Sequence, residues 1–285
     1  MLGALIIVFR EAIEAGLIVG IVMAVTQGVR GSRAVIGLGI GAGVVGAALV
    51  AGFAGAIAEA LAGVGQELFN ASILMIAVVM LVWHNVWMAS HGRELAAEVK
   101  RVGNDVRMGT RSIAALGVVC AVAVMREGSE VALFMYGLVA SAGSTPLDLV
   151  VGSVLGLLAG VALTAVTYLG LVTIPQRRLF AVTTLLISFL AAGLAAQAVV
   201  FLQQAGVVTA LSQTAWDTSG VLSDTSLTGR VLHTLVGYSD QPSVLQVVVY
   251  VATLAVIVAL TRAFGGRGAR AAKNGGPAPT PAPAE

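Results

Sequence analysis

Two copies of one charged motif stand where a membrane-spanning segment should carry no charge. Arg10-Glu11-Ala12-Ile13-Glu14 interrupts the apolar run from Leu2 to Val25, and Arg126-Glu127-Gly128-Ser129-Glu130 interrupts the run from about Ile113 to Ala140. Both read R-E-x-x-E. On a helix the Arg and the second Glu are i,i+4 neighbours and the two Glu are i,i+3 neighbours, so the three charges share a face. A charge at the bilayer centre costs about 2.5–3.5 kcal/mol on insertion scales, and six facing lipid would cost on the order of 15–20 kcal/mol. That exceeds the net stability of most domains. The motifs must therefore turn inward and compensate one another. Four carboxylates against two guanidiniums leave a formal −2, and residual negative charge at low dielectric calls for a cation. Carboxylates clustered without a thiolate favour a hard ion with oxygen ligands. The candidate metal ligands are Glu11, Glu14, Glu127 and Glu130. Arg10 and Arg126 would keep those carboxylates charged and oriented while the site is empty. Two other readings fit the same residues: self-neutralising ion-pair clusters that lock two helices, and a proton relay without metal.

The elements that must position these motifs follow from composition. The chain has 285 residues, 58% of them hydrophobic and 11% charged, which places it among polytopic all-α membrane proteins. Spans of roughly 20 apolar residues fall at 2–26, 34–58, 68–90, 112–140, 147–173, 180–203 and 244–262, seven in all. The start lacks a basic region ahead of its apolar run and reads as a retained first helix, not a signal peptide. Of sixteen basic residues, thirteen fall in alternate loops and the C-terminal segment, one (Arg230) falls in the others, and two lie in the motifs. By the positive-inside rule this predicts seven helices in the cell membrane, N-terminus outside and C-terminus cytoplasmic. Glu59, Glu67, Asp148, Asp217, Asp224 and Asp240 against Arg230 make the outer face formally −5, a mouth that attracts cations. Segment 91–111 reads as a short interfacial or cytosolic helix, 205–243 as the longest external connection, and 265–285 as a disordered cytoplasmic tail following a transmembrane domain at 1–264.

The motifs also mark a repeat. Arg10 and Arg126 lie 116 residues apart, and Gly37 and Gly41 lie over Gly152 and Gly156 at an offset of 115. This predicts three-helix repeats at 1–90 and 112–203 plus a seventh helix at 244–262. An odd number of crossings inverts the second copy, an arrangement that in transporters puts the substrate at the midplane. Glycines at i,i+4 spacing on the second and fifth helices suit close packing. Glu67 and Asn70 open the third helix and form a candidate outer relay, or simply a helix start favoured by the dipole. His84 and Asn85 fall late in the third helix, so His84 reads as a hydrogen-bonded residue near the cytoplasmic end. Trp83, Trp87 and Trp216 fit the interfacial aromatic belt. Cys120 reads as a small buried hydrophobe, and a lone cysteine excludes an intrachain disulfide.

With these motifs in place the chain resembles, over roughly 1–262, the oxidase-dependent iron permeases. These include the fungal high-affinity iron permease and the bacterial Efe-system permease. Beside the paired motifs, the resemblance rests on Trp87-Met88, Ala191-Ala192-Gly193-Leu194 with Gln197, Trp216-Asp217, Gly237-Tyr238 and Pro242-Ser243. It implies inward transport of iron, taken as ferric ion after oxidation by an extracytoplasmic partner. That partner would be a ferroxidase, or a haem peroxidase acting with an iron-binding protein. It also implies that Glu11, Glu14, Glu127 and Glu130 handle the ion. Relatives often carry a second acid just after the Glu67 position, where this chain has Asn70. Iron is then cargo, no tightly bound cofactor is implied, and neither is nucleic acid. A carrier of manganese or another hard divalent cation, or a non-transporting assembly subunit, remains an alternative. The sequence holds no H-E-x-x-H and no nucleophile elbow, so an intramembrane enzyme is not expected.

Overall fold

A computed structural model describes residues 1–60, 65–140, 145–170, 176–224 and 226–274. Among these the chain forms α1 (Leu2–Val25), α2 (Ser32–Ala60), α3 (Gln66–Arg107), α4 (Ala114–Ala140), α5 (Pro146–Tyr168), α6 (Gln176–Gln204), α7 (Leu227–Val236) and α8 (Val244–Asn274). Five stretches are long and apolar enough to cross a membrane: Ser32–Ile57, Gln66–Met88, Pro146–Tyr168, Ala181–Gln204 and Val244–Phe264. At 24 and 27 residues α1 and α4 match them in length. They fall outside that set because each carries three charged motif residues.

Small residues set how closely the helices approach. Gly152, Gly156 and Gly160 lie buried along α5, against the backbone of α1 at Met1, Leu5 and Phe9. A Cβ on Gly156 would sit 2.5 Å from the Leu5 carbonyl, and one on Gly160 2.6 Å from Ala12 Cβ. The facing residues rise in number together along both helices, so α1 and α5 run parallel. The pair α2 and α4 repeats this. Gly39 meets Gly117, a Cβ on Gly43 would lie 2.7 Å from the Ala121 carbonyl, and one on Gly128 would lie 2.7 Å from Ala47 Cβ. In contrast α4 runs antiparallel to α1, with Gly3 near Leu138 at one end and Ile18 and Val22 clustered with Leu116 and Cys120 at the other.

The buried apolar residues form two clusters. One joins Ala4 and Ile7 of α1 to Leu74 and Leu81 of α3, Phe134 of α4 and Ile187 of α6. The other joins Ile18 and Val22 of α1 to Val99 and Val106 of α3 and to Leu116, Cys120 and Ala123 of α4. The charged motifs lie between the two clusters on α1 and on α4, so apolar packing closes the motif layer from both ends. The outer faces of α2, α5 and α8 are apolar and exposed, at Leu38, Leu49 and Phe53, at Leu157 and Leu158, and at Val248 and Val251. Such faces suit lipid.

Two expectations change, and the 205–243 stretch gains internal structure. The segment 91–111 is no separate helix, because α3 continues unbroken to Arg107. Its buried Val99, Val102 and Val106 recur every three to four residues, and Gly103 admits Val25 and Thr26 from the end of α1. The stretch 205–243 contains α7, capped by the Ser226 hydroxyl at its start and by Gly237 at φ 69° at its end. Asp224 and Asp240 in the same stretch accept hydrogen bonds from each other's backbone N–H at 3.1 and 3.2 Å. Finally, α8 runs to Asn274, past the point where the sequence starts its tail. The rest of that tail, 275–285, lies outside the described residues, as do the side chains of Glu59, Arg93, Arg177 and Arg178.

Candidate metal-binding site

The R-E-x-x-E spacing works on α1 as helix geometry requires. One turn of helix brings Arg10 Nε to 2.8 Å from Glu14 Oε1, and Arg10 Nη1 lies 3.6 Å from Glu11 Oε1. All three residues are 1–2% exposed. On α4 the matching pairs are looser. Arg126 Nε lies 3.3 Å from Glu130 Oε1 and 3.7 Å from Glu127 Oε1, and the Arg126 side chain is 35% exposed. Its guanidinium stacks 4.0 Å above the Trp87 ring, which in turn stacks on His91. Trp87 therefore supports Arg126 and does more than line a membrane interface.

His84 of α3 joins the two motifs. Its Nε2 lies 3.3 Å from Glu14 Oε2, in hydrogen-bond geometry, and 3.8 Å from Glu11 Oε2. Its Nδ1 contacts Glu130 Oε2. One ligand atom from each of Glu11, His84, Glu127 and Glu130 can be chosen so that all four lie within 4.8 Å of one another. Three carboxylates that close repel one another, and the two guanidiniums at their edge, Arg10 and Arg126, offset that repulsion only in part, four carboxylates against two cations.

Hydrogen bonding leaves this cluster unfinished. Both oxygens of Glu11, Oε2 of Glu127, Oε2 of Glu130 and Nδ1 of His84 are buried without a hydrogen-bond partner. Arg10 Nε and Nη1 are within ion-pair distance of carboxylates but also lack a well-directed hydrogen bond. Buried polar atoms are normally satisfied. Here the unsatisfied ones are mainly acceptors, on residues whose ligand atoms lie within 4.8 Å of one another. Asn85, the next residue of α3, is also buried with neither amide atom partnered.

The structure thus brings together Arg10, Glu11, Glu14, Arg126, Glu127 and Glu130, as the motifs predict. It corrects the reading of His84 as a residue near a helix end. The apolar stretch of α3 does end close to His84, but α3 continues for another 23 residues packed on protein. Its depth is set by α1, whose Glu14 lies beside it, and not by the edge of its own apolar run. The available signal was a His-Asn pair inside an otherwise apolar span. Glu14 is also placed differently from expectation. It sits between Arg10 and His84, outside the group of four convergent ligand atoms. Glu67 and Asn70 stand apart on the first turns of α3, Glu67 exposed and Asn70 accepting from Gln66 Nε2 at 3.3 Å. Fourteen residues separate Asn70 from His84, or about 21 Å at helical rise.

The sequence profile described as the Iron permease FTR1 family matches residues 1–265. The chain is 32% identical over 249 residues to the ferrous iron permease EfeU of Escherichia coli O157:H7, covering 86% of this chain and 89% of that one. It matches the protein of the same name from Shigella sonnei equally well. It is 34% identical over 186 residues to the ferrous iron permease EfeU of Shigella flexneri, covering 65% of this chain and 78% of that one. No solved structure matches.

Proposed function

Because the chain belongs to the Iron permease FTR1 family, and is a multi-pass membrane protein of that family, we propose that iron crosses through the centre built by its two R-E-x-x-E motifs. The observation that carries this is the convergence of Glu11, Glu127, Glu130 and His84, with unsatisfied ligand atoms, in a layer closed by apolar packing at both ends. Glu14, Arg10 and Arg126 orient the set. In this reading α1 and α4 also cross the membrane, making seven spans with α2, α3, α5, α6 and α8. Burial of their charges against each other removes the cost that excludes them on composition alone. Support for inverted repeats comes from the pairing of helices. The parallel α1–α5 pair is matched by the parallel α4–α2 pair, and α1 crosses α4 antiparallel, as exchange of two oppositely oriented copies requires.

The ion we assign to the centre is ferrous. Four carboxylates and two guanidiniums leave a formal −2, which a divalent ion neutralises and a trivalent one overshoots. The relatives are named for ferrous iron. A second reading keeps ferric iron, handed over by an extracytoplasmic ferroxidase, or by a haem peroxidase with an iron-binding protein. It rests on the oxygen-rich donor set, which suits a hard ion. Glu67 and Asn70, with the acidic outer loops, then serve as an approach to the centre. Manganese fits the oxygen donors as well.

The test is uptake into proteoliposomes of purified protein, with ferrous iron held reduced by ascorbate and, separately, ferric citrate or manganese. Wild type should accumulate ferrous iron, and Glu127→Gln and Glu130→Gln should not, while eluting as folded protein. Normal uptake by the folded Gln variants would make the motifs structural locks. Uptake of ferric citrate alone would select the second reading.

A further inference from the structure

We propose that His84 is a metal ligand through Nδ1, and that Glu14 fixes its tautomer by accepting the Nε2 proton, so the centre selects borderline divalent ions over hard ones. The inference rests on the proposed role of the motif layer as the ion's path and concerns which ions that layer accepts.

The two ring nitrogens of His84 have different surroundings. Nε2 lies 3.3 Å from Glu14 Oε2 in hydrogen-bond geometry, and a carboxylate can only accept, so Nε2 carries the proton. In the neutral ring Nδ1 then presents a lone pair. It is buried without a hydrogen-bond partner and faces Glu130 Oε2, which also has none. Without metal, a second proton, on Nδ1, closes that contact as an ion pair; a metal ion that displaces the proton takes Nδ1 and the Glu130 carboxylate as ligands. Metal-bound histidines are built this way: one nitrogen ligates while the other donates to a carboxylate that sets ring orientation and basicity. The carboxylate here is itself held by Arg10 at 2.8 Å. This explains why Glu14 lies outside the group of convergent atoms while Glu11, Glu127, Glu130 and His84 form it. His84 is 3% exposed, and α1, α3 and α4 all contribute to its surroundings, so it cannot swing to solvent without opening the bundle.

The consequence is chemical selectivity. An all-carboxylate site favours magnesium, calcium and manganese, whereas an imidazole suits iron, nickel, copper and zinc. One nitrogen among three carboxylates tilts the centre towards ferrous iron.

Two measurements on purified full-length protein test this. Pulsed EPR of bound Mn²⁺ should show nitrogen modulation from one imidazole. The modulation should persist in the His91→Gln/His233→Gln double variant, which leaves His84 as the remaining histidine of three, and it should vanish in His84→Gln. In proteoliposomes, His84→Gln should lose about tenfold in apparent affinity for Fe²⁺, the low end of what a lost metal-site partner costs. Its affinity for Mn²⁺ should change less than about twofold by the same comparison, and His84→Asp should shift preference further towards Mn²⁺. Absence of nitrogen modulation in wild type, or its loss in the double variant, overturns the assignment even if His84→Gln does not fold. So does an unchanged preference in folded His84→Gln. If iron uptake still depends on Glu127 and Glu130 in that case, the transit site stands and His84 is only a strut. If wild type carries no metal at all, both readings fall together.

Discussion

Arg10 and Arg126 hold matching places in the two motifs but unequal surroundings. Arg10 is sealed between Glu11 and Glu14, whereas Arg126 is 35% exposed and leans on Trp87. Removing one partner of a fully buried ion pair costs about 3–5 kcal/mol, because the other charge is left without compensation. Water can reach the Arg126 side and screen what is left, so its loss should cost on the order of 1 kcal/mol. Arg10→Ala should therefore reduce folded yield and thermal stability sharply, and Arg126→Ala only slightly. Size-exclusion profiles and melting curves in one detergent will decide it, and equal losses would contradict the asymmetry. The carboxylates behave differently. Glu14→Gln keeps shape and a carbonyl oxygen that can still accept one hydrogen bond, but removes the negative charge that faces both Arg10 and His84. Folded protein should survive with iron uptake lost, read by vesicle accumulation beside the melting curve.

At the scale of helices, the layer depends on two close approaches. Gly156 lets α5 lie against the Leu5 carbonyl of α1, and a side chain there meets backbone that cannot rotate away. Gly156→Val should push α1 from α5 and shift Glu11 away from the α4 carboxylates. Uptake and folded yield should both fall, in the 1–3 kcal/mol range of overpacking. Gly37, one of the glycines used to infer the repeat, has nothing within 4 Å of a Cβ added to it. Gly37→Ala should leave both measurements unchanged. A glycine's place in the repeat pattern is thus no guide to its weight; the distance to the facing backbone is. The long α3 has a separate role. It lies along both α1 and α4, packs Val99 and Val106 into the second apolar cluster, and carries His84 to the level of the motifs.

For the whole molecule, the distribution of charge argues for one orientation. Thirteen basic residues on one side against one on the other predict Lys273 in the cytoplasm and the 205–243 loop outside. A fluorescent reporter fused after Lys273 should light up, and a cysteine introduced at exposed Val221 should react with an impermeant maleimide on intact cells. Finding both positions on one side would rule out seven crossings.

The charged motifs were legible because their penalty is independent of context: six charges in apolar helices must be brought together wherever those helices lie. All-helical class, most span positions and the meeting of the two motifs follow from that and from span length. Other features depended on neighbours. Whether α3 stops near residue 90 or continues was decided by its contacts with the end of α1, since polar residues there are compatible with either outcome. His84 looked peripheral because an apolar run reports where lipid ends, not where a partner helix places its charge. The division of labour between Glu14 and Glu11 was likewise invisible, since both belong to one motif on one helical face. Which carboxylate points at Arg10 and His84, and which at the facing helix, is a matter of tens of degrees about the helix axis. Only packing of α1 against α3, α4 and α5 fixes that angle.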